Sequence, residues 1–167
     1  MALTSGSRAA RTENSMDLVE QILDDADWSY ERDSHDSVHC IVPTRWGDMC
    51  GIFCMSAEPD SLQFSLTLDV KPTPPRRDEL SELILRINDN LGPGHFDYWA
   101  GDDVVLFRQG IPMAGRNRPE DDEVSAIVDA ATRAVNQYMP SMNYVIWAGK
   151  DSETALGMAN FQTIGEA

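Results

Sequence analysis

The stretch from Leu62 to Val70 carries the plainest pattern in the chain. Leu62, Phe64, Leu66, Leu68 and Val70 alternate with Gln63, Ser65, Thr67 and Asp69. Successive strand side chains point to opposite faces, so this period of two predicts a strand with one dry and one wet face. Val38, Cys40 and Val42 alternate with His39 and Ile41 and predict another strand, while Trp28 to Arg32 starts the sheet. Met49 to Ser56 reads as a third run, separated from the second by a loop over Pro43-Thr44-Arg45-Trp46-Gly47-Asp48. Phe96 to Ala100 and Asp103 to Gln109 flank Gly101-Asp102 as a hairpin.

Other segments repeat at helical spacing. Leu18, Val19, Ile22, Leu23 and Ala26 share a face, with Asp17-x-x-Glu20 as a capping box and an end near Asp27. Leu80, Leu83, Ile84, Ile87 and Leu91 define a second helix, which Gly92 closes in the left-handed conformation and Pro93 follows. Pro119 opens a third, with Glu120 to Glu123 at its positive end and a stripe of Val124, Ile127, Val128, Ala131, Val135 and Tyr138. Pro140 is expected to break that helix. The segment Asn143-Tyr-Val-Ile-Trp-Ala-Gly-Lys150 then reads as a lid closing on the core with Trp147 as its buried anchor. Asp151 or Ser152 caps a last short helix through Ala159.

The helices are not interleaved one per strand. The order is α-β-β-β-β-α-β-β-α with a C-terminal helical segment, an α+β fold built on a twisted antiparallel sheet with helices packed on it. Residues 1–15 are rich in Ser, Ala and Arg without periodicity and read as a disordered tail, or more remotely as a truncated transit peptide; residues 16–167 form a single domain.

Charge narrows the partners. The 167 residues hold 28 acidic and 13 basic side chains, a net charge of −15. Such a field repels nucleic-acid phosphates and anionic membranes, so neither is expected as a partner. No apolar run reaches the ~18–20 residues of a membrane span. Three cysteines (Cys40, Cys50 and Cys54) and no signal-like segment point to the reducing cytoplasm.

Candidate chemistry is thin. His39, Cys40, Cys50 and Cys54 are the best metal set, but strand rise holds the sulfurs of Cys50 and Cys54 roughly 13 Å apart, so they read as core or half-buried cysteines. His95 and Asp97 share a strand face without a nucleophile elbow to serve. Gly149-Lys150 lacks the upstream glycine and following Ser or Thr of a phosphate-binding loop. The acidic clusters lack the spacing of a calcium loop and read as solvated helix ends. No catalytic residue, cofactor or metal is expected. Trp99 reads as core, whereas Arg45 and Trp46, an adjacent Arg–Trp pair in a loop, are the candidate contacts for another protein.

Several short stretches together resemble the alphaproteobacterial branch of the YbjN family of sensory transduction regulators. They are Pro43-Thr44-Arg45-Trp46, Leu62-Gln-Phe-Ser-Leu through Pro74-Pro75-Arg76-Arg77, Leu85-x-Ile87-Asn88, Gly94-His95-Phe96-Asp97-x-Trp99, Val145-Ile146-Trp147-Ala148-Gly149-Lys150 and Thr163-Ile164-Gly165-Glu166-Ala167. The resemblance spans about Met16 to Ala167 and implies a fold similar to type III secretion chaperones, often dimeric. It supplies no catalytic residues. The 145–167 extension separates this pattern from true secretion chaperones. The expected function is a non-enzymatic, protein-binding regulator or chaperone-like adaptor whose negative charge selects basic partners, with homodimerisation through an exposed sheet edge. A small-molecule or metal sensor near His39, Cys50 and His95 is the first alternative and a hydrolase built on His95 and Asp97 the second. If Trp46 serves a partner alone, its removal leaves thermal stability almost unchanged.

Overall fold

A computed structural model describes residues 14–164, with side chains through residue 158. Six strands form one antiparallel sheet in the order β1-β2-β3-β4-β6-β5. They are β1 (Tyr30–Ser34), β2 (Ser37–Thr44), β3 (Gly47–Ala57), β4 (Asp60–Leu68), β5 (His95–Trp99) and β6 (Val104–Pro112). The helices are α1 (Ser15–Asp25), α2 (Arg77–Asn88), α3 (Asp121–Ile146) and α4 (Ser152–Ile164), with a 3-10 turn at Pro74–Arg76 before α2. This is the α+β order that the periodicities predict.

The sheet buries one face. Val38, Cys40 and Val42 of β2, Met49 and Phe53 of β3, Phe64, Leu66 and Leu68 of β4 and Val105 and Phe107 of β6 join one core with the inward residues of α1, α2 and α3. Phe53 pairs across the strands with Phe64, their ring centroids 4.5 Å apart. A fully buried aromatic of this kind contributes about 2–3 kcal/mol through removal from water. The reverse face is wet, with Cys50 and Cys54 exposed and Gln63, Ser65 and Thr67 half-buried.

Several boundaries differ from expectation. The capping box lies three residues earlier: Asn14 accepts from Met16 N–H and Asp17 answers at Asn14 N–H, so α1 is capped at Asn14. Asp17 and Glu20 instead hold Arg32 of β1, at 2.7 Å each. Thr44 and Gly47 pair directly, making the expected loop over Pro43 to Asp48 a tight turn at Arg45-Trp46. Gly47 at φ 108 is the residue that turn requires. Helix α2 ends at Asn88, not beyond Leu91, because its Asn88 side chain turns to β5: Oδ1 accepts from Phe96 N–H at 2.8 Å and Nδ2 donates to Phe96 O at 2.9 Å. The left-handed glycine is therefore Gly94 (φ 88), where a Cβ would meet the Phe107 ring at 2.3 Å, and not Gly92. In the β5–β6 turn the positive φ falls on Asp103, not on Gly101.

Both sheet edges are guarded against strand pairing. Edge strand β1 is short, charged and irregular between Arg32 and Ser34. At β5, Asn88 occupies the outward backbone groups of Phe96, so a partner strand has to displace it.

Pro140 does not break α3. The helix runs 26 residues through it, carrying the buried stripe on through Met142, Val145 and Ile146. The segment expected to fold back as a lid is the end of this helix. Trp147, its expected anchor, is 79% exposed.

Candidate functional site

The Arg45–Trp46 turn explains how α3 survives its proline. Pro140 has no N–H to give to the carbonyl four residues back, that of Asn136. The indole Nε1 of Trp46 donates to that same oxygen at 3.3 Å. Arg45 N–H donates to the Asn136 side-chain Oδ1 at 2.9 Å. Thr44 braces the turn, its Oγ1 donating to Gly47 O at 2.7 Å and accepting from Trp46 N–H at 3.1 Å. Both candidate contact residues are thus tied into the fold through Asn136, which the sequence reading missed. Its signal was present: Asn136 stands four residues before Pro140. The Trp46 ring remains 46% exposed.

A second turn closes α3. Gly149, at φ 64, reverses the chain, and Lys150 N–H returns to Tyr144 O at 3.0 Å. Arg76 reaches across from the start of α2 to donate to Gly149 O at 3.3 Å, and Glu79 accepts from Ser152 N–H. Asp151 caps α4 by accepting from Thr154 N–H at 2.9 Å and Thr154 Oγ1 at 2.8 Å; these bonds hold its carboxyl below the usual range. Trp147 therefore projects from a firmly bonded turn.

Helical geometry relates the two turns. Asn136 and Trp147 are eleven residues apart, close to three full turns, so they share one face about 16 Å apart along the axis. Pro140, Asn143 and Tyr144 lie between them on that face, each half-buried. From Ala130 through Lys150 the sequence holds no acidic residue, only Arg133 and Lys150 among charges. In a chain of net charge −15 this is a distinct strip.

The wet sheet face keeps the other candidates apart. His39 pairs with Ile52 and His95 with Arg108, with β4 between the two strand pairs. Cys50 and Cys54 are exposed rather than core residues because they alternate with the inward Gly51 and Phe53; Cys40 alone is buried, which pushes its thiol up to about 12. Among the described residues no three His, Cys, Asp or Glu side chains gather as a metal set. Asp97 is bound by Arg108 at 2.9 Å, with His95 Nε2 at 3.6 Å, so its carboxylate is engaged by the guanidinium. Trp99, expected in the core, is 48% exposed and carries Arg108 at 5.8 Å from its ring centroid. Asp103 accepts from Tyr98 Oη at 2.6 Å and pairs with Arg77, and these two contacts hold its carboxyl low, while burial and the bond to Asp103 push the Tyr98 phenol up.

The family model that matches this chain covers residues 15–143 and is YbjN, described as "Putative bacterial sensory transduction regulator". The chain belongs to the YbjN family. The match ends inside α3, short of the 145–167 extension that the sequence resemblance included. Among solved structures, the crystal structure of YbjN, "a putative transcription regulator from E. coli", is similar over 77% of this chain and 93% of its own, with a TM-score of 0.51 and 13% identity. At that identity the likeness establishes the fold. No curated protein matches the chain. No helix among the described residues is long and apolar enough to cross a membrane.

Proposed function

We propose that this YbjN-family chain is a non-enzymatic cytoplasmic regulator that acts by binding another protein, as an adaptor or chaperone-like factor. The observation that carries this reading is the placement of its tryptophans. Three of the four, Trp46, Trp99 and Trp147, are 46%, 48% and 79% exposed. Exposed indoles beside arginine are the residue types that dominate binding energy at protein interfaces. Trp99 lies beside Arg108, and Trp147 stands on the turn that Arg76 holds.

Affinity capture with the immobilised full-length chain tests the proposal. The expected outcome is a discrete partner retained by the wild type and released by the Trp99→Ser/Trp147→Ser double variant. Retention of nothing above a bait-free control at micromolar chain overturns it.

A small-molecule sensor is the second reading, and one feature favours it. A depression of about 370 Å³ beside the start of β5 is lined by Gln63, Gly94, His95, Arg108, Gln109 and Gly110. Millimolar phosphate or acetate that shifts the amide resonances of Gly94 and Gly110 specifically supports this reading, and unchanged spectra remove it for small anions.

A further inference from the structure

We propose that the hollow between the end of α1 and the first turns of α3 binds a small organic cation, one apolar ring bearing a protonated amine. This site is separate from the depression beside β5 and independent of the protein-binding reading. The hollow measures about 130 Å³. Its floor is Leu23, Phe53 and Val124, each 2% exposed or less. The exposed Ala26, Ser125 and Asp129 and the half-buried Trp28 surround its mouth. Ser15 at the start of α1 donates to Asn117 O just ahead of α3 at 3.3 Å, so the two helices run side by side from a common end. The space opens where the α1 stripe finishes, because its last position, Ala26, is the smallest of the five.

Size selects one ring. Native cores leave few voids larger than a water molecule. An apolar cavity of about 150 Å³ lined by Leu, Ile and Phe stays dry and takes benzene. The hollow is close to that volume and has walls of the same kind, completed by Val19, Ile22 and Val128. Trp28 adds an indole, which both stacks on a ring and attracts a cation. Drug-sized ligands need pockets of roughly 300 Å³ or more, so a single ring is what this space accepts.

Charge selects a cation. The free carbonyls at a helix C-terminus carry partial negative charge and favour a basic side chain nearby. The last turn of α1 has none and instead carries Asp24 and Asp25, with Asp27 just beyond. Across the hollow, Asp129 lines the mouth and Asp122 stands two turns before it on α3. The cations of this region do not answer these acids. Helix α1 contains no Lys or Arg, and α3 contains only Arg133, one turn beyond Asp129. Arg32 is held by Asp17 and Glu20, Arg116 by Glu123, and Arg118 lies against Asp121. Asp24 faces the Tyr30 phenol. Among the described residues no ion pair engages Asp25, Asp27, Asp122 or Asp129. An ammonium at the mouth meets this unpaired charge while its ring covers the apolar floor.

Titration of benzylamine into the full-length chain, followed by indole fluorescence and amide resonances, tests the proposal. Benzyl alcohol and benzoate serve as neutral and anionic carriers of the same ring. Benzylamine should bind about tenfold more tightly than benzoate, with benzyl alcohol between them, and should shift the amides of Ala26, Trp28 and Ser125 most. Ala26→Leu and Ser125→Leu fill the hollow from exposed positions, so each should abolish binding while the melting temperature is kept. Asp25→Asn/Asp129→Asn should weaken benzylamine about fivefold and leave benzyl alcohol unchanged. No binding at millimolar benzylamine, equal affinity for the three compounds, or shifts spread over the whole acidic surface overturns the proposal. Binding that both leucine variants retain overturns it as well. Neither result bears on partner capture by the exposed tryptophans.

Discussion

Trp46 and Trp147 stand at the two ends of one face of α3, and their circumstances are opposite. Trp46 arrives from a hairpin turn far away in sequence and fills a need inside the chain, donating to the carbonyl that Pro140 leaves without its helical partner. Trp147 belongs to α3 itself, at its C-cap, and 79% of its surface faces water. The residue expected to face a partner is half structural, and the residue expected to anchor the core is exposed. An aromatic residue's role follows from what its polar atom satisfies and which face its element buries, and a run of large residues settles neither.

The comparison breaks most readily at Trp46. Trp46→Ala removes a half-buried ring and the hydrogen bond to Asn136, and is expected to cost about 2 kcal/mol, less than the ~3–5 of a fully buried tryptophan. For a chain of this length that lowers the melting temperature by roughly 4–8 °C. Calorimetry that finds no change returns Trp46 to a purely external role. At the other turn, Gly149→Ala is expected to cost about 1–1.5 kcal/mol. It forces an L side chain to φ 64 and places a Cβ 2.6 Å from the Arg76 guanidinium. Loss of that contact is the check, because Arg76→Ala should then lose most of its effect in the Gly149→Ala background.

A double-mutant cycle isolates the tie between Trp46 and the proline. Trp46→Phe keeps a ring but leaves the Asn136 carbonyl without its donor, at a cost of about 1 kcal/mol. In a Pro140→Ala background the alanine's backbone N–H can supply the helical bond, so the same change should cost little. Denaturant melts should therefore give a coupling of about 1 kcal/mol. Strict additivity would show that Trp46 stabilises α3 by packing alone.

One physical decision accounts for most of what the sequence left unread. The strict alternation of β4 and the stripe from Val124 to Tyr138 located the strand and the helix that build the core. Ending α3 at Pro140 then misplaced the segment from Asn143 to Lys150, whereas the cap at Asp151 and the last helix stand where they were expected. Continued at 100° per residue, the stripe passes through Met142 and Val145, and Trp147 falls about 140° from Val124, on the opposite side. The rule that proline ends helices failed because its missing bond is met from another element, which no local pattern records. Asn88 makes the same point: a helix-end asparagine that caps the edge of β5 is invisible until the two elements are side by side. Cys50 and Cys54, expected as core or half-buried, are exposed because strand alternation turns Phe53 inward and sets both thiols on the wet face.

The smallest expected effect is the sharpest test of the contrast. Trp147→Ala deletes the most exposed large apolar side chain among the described residues, from a turn whose hydrogen bonds are made by Arg76, Glu79, Lys150 and Asp151. Removing an exposed side chain that satisfies no polar group should change stability by less than about 0.5 kcal/mol. Over this chain length that is a melting shift under about 2 °C. Acrylamide should correspondingly quench a larger share of indole fluorescence in the wild type than in the Trp147→Ala chain. A melting temperature lower by several degrees, with quenching unchanged, would mean that the ring is packed inside the fold and that it belongs with Trp46 on the structural side of the comparison.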